Sequence, residues 1–295
     1  MSEAAVVLMA YGSPTRPEDI PAYFSDIRGG RPVRHEAVDE LAERYRRIGG
    51  SSPLNEITER QRAALEHELH APVYVGMKHW TPRIAEAADD AIEAGAERIV
   101  GLVLAPHYSS ISIGGYRDRL VEAVGERAET VMIESWHDHP PFLDLIAGRI
   151  RGTDAHVVFT AHSLPERILA EGDPYKDQLL ETSRLVAERA GVANWSFAFQ
   201  SASPTGEPWL GPDILEELER LHAEGVRKVL VAPVGFVSDH LEILWDIDVE
   251  AREKAAELGL ELDRIESLND APEFARALAV LVEQVLDEST RIEVP

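Results

Sequence analysis

Four places in this chain could do proton or metal chemistry, and each follows an apolar run. Tyr11 ends AVVLMA (5–10), His107 follows RIVGLVLAP (98–106), His162 ends HVVFTA (156–161), and KVLVAPV (228–234) leads into GFVSDHLEILWDID (235–248). A neutral imidazole, with an ordinary pKa of about 6.5, can accept a proton or bind a metal near neutrality. Glu242, Asp246 and Glu250 recur every fourth residue, which on a helix is one face. Carboxylates in a line that starts near a histidine make a path for a divalent cation. Each group also has a plainer reading. His107 and His162 could be core histidines bonded to backbone. Asp246 and Glu250 could be a solvated acidic helix start favoured by the macrodipole. Tyr11 taken alone decides nothing. The run Trp136-His137-Asp138-His139-Pro140 looks like a metal motif but lies between a strand and a Pro-rich turn, and reads as loop.

The elements that must position these groups repeat. AVVLMAYGSP (5–14) and HVVFTAHSLP (156–165) are each a β-branched run ending on a ring side chain, a small residue and Pro. TPRIAEAADDAIEAGAERIV (81–100) aligns without gaps to GPDILEELERLHAEGVRKVL (211–230). Two related halves facing each other, one with Tyr11 and one with His162, describe a cleft with a differentiated site. Strand and helix alternate throughout. Strands are predicted at 5–9, 72–77, 98–106, 130–135, 156–161, 195–200 and 228–234. Helices are predicted at 36–48, 52–69, from Pro82 to Gly95, at 174–190, from Pro212 to Glu224, from Ser238 (capped by Ser238 or Asp239) to Leu258, and at 272–288. Apolar strands between helices indicate parallel sheets covered on both faces. The fold expected is α/β: two similar doubly wound, Rossmann-like domains with parallel four-stranded sheets. The first spans 1–150 and the second 151–271, with 272–295 free to pack back on the first. In such sheets ligands bind beyond the carboxyl ends of the strands, where the four places lie.

Composition narrows the chemistry. The 295 residues contain no cysteine, so thiolate catalysis, disulfides and Cys-ligated iron–sulfur clusters are excluded. The net charge of −24 argues against non-specific nucleic-acid binding. Between Arg28 and Arg47 six Arg stand against four acids, a basic island suited either to an anionic ligand or to salt-bridged helix faces. No apolar run approaches the ~18 residues of a membrane helix, and MSEAAVVLMAYG lacks the basic region of a secretory signal. A soluble, cytoplasmic monomer is expected. Neither GxGxxG nor GxxxxGK[ST] occurs, which counts against a nucleotide-binding module.

Several long segments together resemble the ferrochelatase family, and within it the coproporphyrin ferrochelatases of Gram-positive bacteria. They are VVLMAYGSPTRPEDIPAYFSDIRGGR (6–31), RYRRIGGSSPLNEIT (44–58), VGMKHWTPRI (75–84), LAPHYSSISIGGYRDR (104–119), FTAHSLPERILAEGDPY (159–175), QSASPTGEPWLGPD (200–213) and VAPVGFVSDHLEILWDID (231–248). The resemblance implies a chelatase-like fold and insertion of ferrous iron, as substrate, into coproporphyrin III to give coproheme in haem biosynthesis. It implies His162 and Glu242 at the metal-insertion centre, Tyr11 on the opposite side of the porphyrin and able to ligate iron, and Arg28, Arg44, Tyr45, Ser52 and Tyr116 as porphyrin contacts. It implies a coproheme decarboxylase as a transient partner. Asp246 and Glu250 would form an outer metal lane, and whether an accessory Mg2+ sits there is left open. Two departures stand out. Gly29 occupies a place where relatives often carry a second basic residue, and the Gly114-Gly115 pair is expected to loosen one wall.

The chemistry suits these residue types. Metal insertion removes two pyrrole protons and strips water from the ion. An imidazole can take a proton, and a neighbouring carboxylate can orient it and share the load. A site that holds the macrocycle bent toward the metal would favour insertion. Arg can pair with propionates through two hydrogen bonds. Rival readings are a ferrochelatase acting on protoporphyrin IX, a cobalt or nickel chelatase acting on a corrin-type precursor, and a non-catalytic tetrapyrrole or metal carrier.

Overall fold

The computed structural model describes residues 4–203 and 205–292, with side chains described up to residue 287. The chain divides into two compact units. One comprises Met1–Pro106, Ser110–Trp136 and Asn269–Pro295, the other His107–Ser109 and His137–Leu268.

In the first unit the strands are β1 (Ala4–Ala10), β2 (Val73–Met77), β3 (Arg98–Val103) and β4 (Glu129–Ile133), and its helices are α1 (Ile20–Ile27), α2 (His35–Arg47), α3 (Leu54–Leu69), α4 (Ile84–Glu93) and α5 (Ile113–Val124). In the second, α6 (Pro140–Ile150), β5 (His156–His162), α7 (Arg167–Ala170), α8 (Tyr175–Ala190), β6 (Trp195–Gln200), α9 (Ile214–Ala223), β7 (Lys228–Ala232), a π-wound segment (Ile243–Ala251), α10 (Arg252–Leu258) and β8 (Glu261–Arg264) follow. The last helix, α11 (Pro272–Ile292), returns to the first unit and packs on α3. Gln61 donates to the Asn269 carbonyl at 2.7 Å and Arg60 pairs with Asp270 at 2.7 Å, fixing its start.

Both sheets are parallel, ordered β2-β1-β3-β4 and β6-β5-β7-β8. The order is the same when each half is counted from its own first strand, as the sequence echo predicts. The centre strands explain why. Val7, Leu8 and Met9 of β1 and Val157, Val158 and Phe159 of β5 are fully buried, and complete burial of one such side chain contributes about 1.5–3 kcal/mol. The second echo is also structural. Thr81–Pro82 and Gly211–Pro212 are both cis. The two Pro carbonyls accept from Met77 and Phe199 at the ends of β2 and β6, at 2.7 and 2.8 Å. The residues that follow, Arg83 and Asp213, are extended and bridge to Met77 and Phe199, so the helices predicted from Pro82 and Pro212 begin two residues later. Their first turns are closed by Glu86 and Glu216, which accept from the backbone N–H of Arg83 and Asp213.

Three further differences have physical causes. The unit boundary falls after Trp136 rather than at 150, because α6 packs against α8, with Arg189 reaching Asp144 at 3.2 Å. The helix expected from 238 to 258 begins later than 238. The Asp239 carboxylate accepts from Arg264 at 3.1 Å and Ser267 at 2.6 Å, and helical winding starts at Leu241. From Ile243 to Ala251 that winding is π rather than α, a form frequent at functional sites. The edge strand β8 is not anticipated at all. Only Leu262 of its four residues is buried.

Close packing holds the loop after β7 against β5. The Gly235 N–H donates to the Thr160 carbonyl at 3.1 Å. A Cβ on Gly235 would stand 2.9 Å from the Cα of Ala161, and backbone at that distance has no room to give. Gly235→Ala is therefore expected to destabilise the chain by about 1–3 kcal/mol, read from urea unfolding midpoints.

Candidate active site

In the second unit the candidate site is built from backbone as much as from side chains. His162 is the last residue of β5, where the strand leaves the sheet. Its Nδ1 lies within hydrogen-bond reach of the Ser163 carbonyl. A carbonyl only accepts, so Nδ1 carries the proton and Nε2 is the atom free to gain or lose one. Tyr175, at the start of α8, donates its hydroxyl to the His162 carbonyl at 2.9 Å. Burial, with Glu242 and Asp173 adding, raises the Tyr175 phenol, so it remains a neutral donor.

Nε2 of His162 faces Glu242 Oε1 at 3.4 Å, and the other carboxylate oxygen faces His240 Nε2 at 3.5 Å. The His162 and Glu242 side chains are 29% and 35% exposed, so solvent reaches both. Burial pulls the His162 imidazole down, but the Glu242 carboxylate more than reverses this and pushes it up to about 9. Burial raises Glu242 in turn, yet His162 and His240 hold it well below the usual carboxylate range. At neutral pH the resting pair is thus imidazolium and carboxylate. The neutral imidazole expected from an unperturbed histidine is not the resting form.

Gln200, Ser201 and Asp246 lie behind this pair. Gln200 ends β6 in register with His162 and is fully buried. Its Nε2 donates to the Glu242 carbonyl at 3.1 Å and points toward Asp246 Oδ2 at 3.5 Å. Ser201 has φ of +64° and turns its hydroxyl onto Asp246. Asp246 is 5% exposed, held inward rather than aligned outward with Glu242. Glu250 is half-buried on the same π-wound segment. No three His, Asp or Glu side chains among the described residues converge to hold a metal ion.

His107, the other strand-end candidate histidine, is a core residue. Thr182 donates its hydroxyl to the His137 carbonyl at 2.8 Å, so it must accept from His107 Nε2, 2.9 Å away. Within the HDH run, His137 Nε2 meets Glu181 at 3.0 Å in a surface turn. Burial drives His107 down to about 3.

The first unit carries its own constellation. Tyr11, just past β1, is 40% exposed. Its ring lies 4.6 Å from that of His79. His79 Nδ1 meets Asp26 at 2.8 Å, and Arg83 holds the other Asp26 oxygen at 3.0 Å. Burial pulls His79 down to about 4 despite Asp26. Arg28 and Arg44 are exposed. Ser52 is half-buried and accepts from the Leu54 N–H at 3.3 Å. Tyr45 and Tyr116 are 3% and 4% exposed. The Tyr45 hydroxyl bonds Ser13 Oγ at 3.1 Å, and the Tyr116 ring lies 4.6 Å beneath the Lys78 ammonium. Burial pushes Lys78 down to about 8. Gly115 is what admits that ammonium, since a Cβ there would sit 2.9 Å from Lys78 Nζ. Of the glycine pair, Gly115 packs closely against Lys78, whereas a Cβ on Gly114 would meet nothing nearer than Arg117 at 3.9 Å.

Two histidines kept neutral by burial make stability sensitive to acid. His79 and His107 have folded pKa values of about 4 and about 3, below the ordinary value of about 6.5. The unfolded chain therefore binds more protons below 6.5, and their contribution is complete above that pH and lost as pH falls toward 3–4. The melting temperature is expected to drop steadily between pH 6.5 and 4, and His107→Gln is expected to flatten that slope.

The ferrochelatase family model matches residues 3–286. The chain belongs to the ferrochelatase family. Members are metal chelatases (lyases) of haem biosynthesis whose substrate metal is ferrous iron. A ferrochelatase of Herpetosiphon aurantiacus is 46% identical, over 95% of this chain and 98% of that protein. One of Deinococcus radiodurans is 42% identical, over 95% of each. A coproporphyrin III ferrochelatase of Geobacillus kaustophilus is 40% identical, over 98% of each. The chelatase fold is shared with SirB from Bacillus subtilis with Fe3+, at a TM-score of 0.62 and 12% identity, over 96% of this chain and 95% of that one. No helix among the described residues is long and apolar enough to cross a membrane.

Sequence reasoning brought forward His162 and Glu242 but missed Thr160, Ser163, Tyr175, Gln200, Ser201 and His240. Ser163, Tyr175 and Gln200 act through a main-chain carbonyl, which leaves no mark in residue type. His240, two residues before Glu242, was the one with a readable signal.

Proposed function

We propose that the chain inserts ferrous iron into coproporphyrin III, with His162 and Glu242 as the pair that moves the protons. The observation that carries this reading is the His162 Nε2–Glu242 contact of 3.4 Å, with Nδ1 engaged by the Ser163 carbonyl. Insertion releases two protons as the four pyrrole nitrogens bond one iron. His162 must first lose its resting proton. A dication approaching Glu242 weakens the hold that keeps Nε2 protonated. The freed Nε2 then takes a pyrrole proton, and Glu242 passes it on with His240 beside it. A carrier has no use for such a pair.

The choice of substrate rests on other support. Relatives named coproporphyrin III ferrochelatases are 40% identical over nearly the whole chain. The exposed Arg28 and Arg44 suit propionate groups, and coproporphyrin III carries four. In this reading Tyr11 ligates iron and Ser52 contacts the porphyrin. Tyr45 and Tyr116, being buried, act by backing Ser13 and Lys78. The four-carboxylate product would pass to a coproheme decarboxylase.

Anaerobic iron insertion followed by absorbance, with coproporphyrin III and protoporphyrin IX side by side, tests this. Faster turnover of coproporphyrin III is expected. Preference for protoporphyrin IX would move the enzyme to the two-propionate substrate, and binding of both without insertion would favour a carrier.

A further inference from the structure

We propose that Gln200 is a positioning residue that sets the separation of His162 and Glu242, and that Thr160 anchors its amide oxygen to the strand that carries His162. The proposal rests on the reading of His162 and Glu242 as the working pair.

The two groups come from different elements. His162 ends a strand and Glu242 sits at the head of the π-wound segment, so nothing in local chain geometry fixes their spacing. Gln200 bridges them. It pairs with His162 across β5 and β6, and its Nε2 donates to the Glu242 carbonyl at 3.1 Å. Its Oε1 accepts from Thr160 Oγ1 at 3.0 Å. Thr160 lies two residues before His162 on β5, hence on the same face of the sheet. The path runs Thr160, Gln200, Glu242, and starts on the strand that carries His162.

Both bridging side chains are wholly buried, where a missing partner is most damaging. The amide has one workable orientation. Reversed, its oxygen would face the Glu242 carbonyl and the Asp246 carboxylate, both acceptors, and its NH2 would face Thr160. The two acceptors therefore select this orientation, and the Thr160 hydroxyl, which can donate or accept, holds the amide oxygen in place by donating to it. Sequence pattern hides this, because a buried Gln and Thr at strand ends look like ordinary core polar residues.

The test uses the full chain and measures kcat for iron insertion, porphyrin Kd by fluorescence quenching, and melting temperature. Gln200→Leu is expected to lower kcat about 10–100-fold with porphyrin Kd unchanged. Thr160→Val should lower kcat in the same manner but less, and Thr160→Ser, which keeps the hydroxyl, should restore it. The Thr160→Val/Gln200→Leu double variant should be no slower than Gln200→Leu alone, because one acts through the other. Equal loss in Thr160→Ser and Thr160→Val would overturn the proposal, as would multiplying effects in the double variant. If Gln200→Leu melts too low to assay, the Thr160 pair decides alone. His162→Ala separates the two levels. If it keeps turnover, the working pair is wrong and the proposal falls with it. If it is inactive while Gln200→Leu and Thr160→Val run normally, only the positioning role is lost.

Discussion

His162→Ala is expected to lower kcat for iron insertion by about 10²–10⁴-fold, the range lost with a general acid–base group, and to leave porphyrin binding nearly intact. The asymmetry follows from where the residue sits. The imidazole ends β5, within a unit whose core (Val157, Val158, Phe159, Ala161) is buried without it, so its removal leaves the fold standing. It also removes the imidazole whose Nε2 faces Glu242 Oε1, at 3.4 Å. Single-turnover insertion and a porphyrin titration on the same preparation separate the two effects. Retained turnover would remove His162 from the mechanism. Lost porphyrin binding would make it a substrate contact instead.

Glu242→Gln has the second largest expected effect, lowering both turnover and the His162 titration midpoint. The carboxylate is what lifts His162 to about 9 against the downward pull of burial. Without it the imidazole is expected to titrate far lower, near or under the ordinary value of about 6.5. Turnover falls even though more of the imidazole is then neutral, because a proton taken from the pyrrole has no carboxylate to pass to. Stability shifts too. A histidine raised in the fold stabilises it fully below about 6.5, and that contribution is lost as pH rises through about 9. Wild type should therefore lose stability between pH 7 and 9, and Glu242→Gln should lose less over the same window. NMR titration of the imidazole Cε1–H reads the midpoint directly. An unchanged midpoint in the variant would mean that the carboxylate does not hold the proton.

The parts of the fold that could be read in advance are those specified by long apolar runs. AVVLM, RIVGLV and HVVFTA are buried on both faces, and a strand in that situation has little other meaning. The gapless echo between 81–100 and 211–230 marked the duplicated turn and helix, down to paired Pro residues whose carbonyls both accept from a strand end. What escaped depends on partners far along the chain. Asp239 reads as a local helix cap, yet its carboxylate accepts from Arg264, on β8. The i, i+4 spacing of Glu242 and Asp246 reads as one outward face until π winding and the Ser201 hydroxyl turn Asp246 inward. At the candidate site His162 and Glu242 were legible as residue types that suit the chemistry. Gln200 and Tyr175 were not, because each grips the backbone of the residue it serves.

The short strand β8 has a consequence for how the protein behaves in a crowded solution. It hydrogen-bonds to β7 on one side only, so it forms a border of the second sheet. Such a border offers unpaired N–H and C=O groups to any other extended chain and can seed aggregation. Glu261 and Asp263 are exposed along β8, and Arg264 is tied by two hydrogen bonds to Asp248 at 3.1 and 2.8 Å. An incoming strand would meet like-placed negative charge and a guanidinium already engaged. The charges that make ELDR a poor strand by hydrophobic pattern are the ones any incoming strand would have to accommodate.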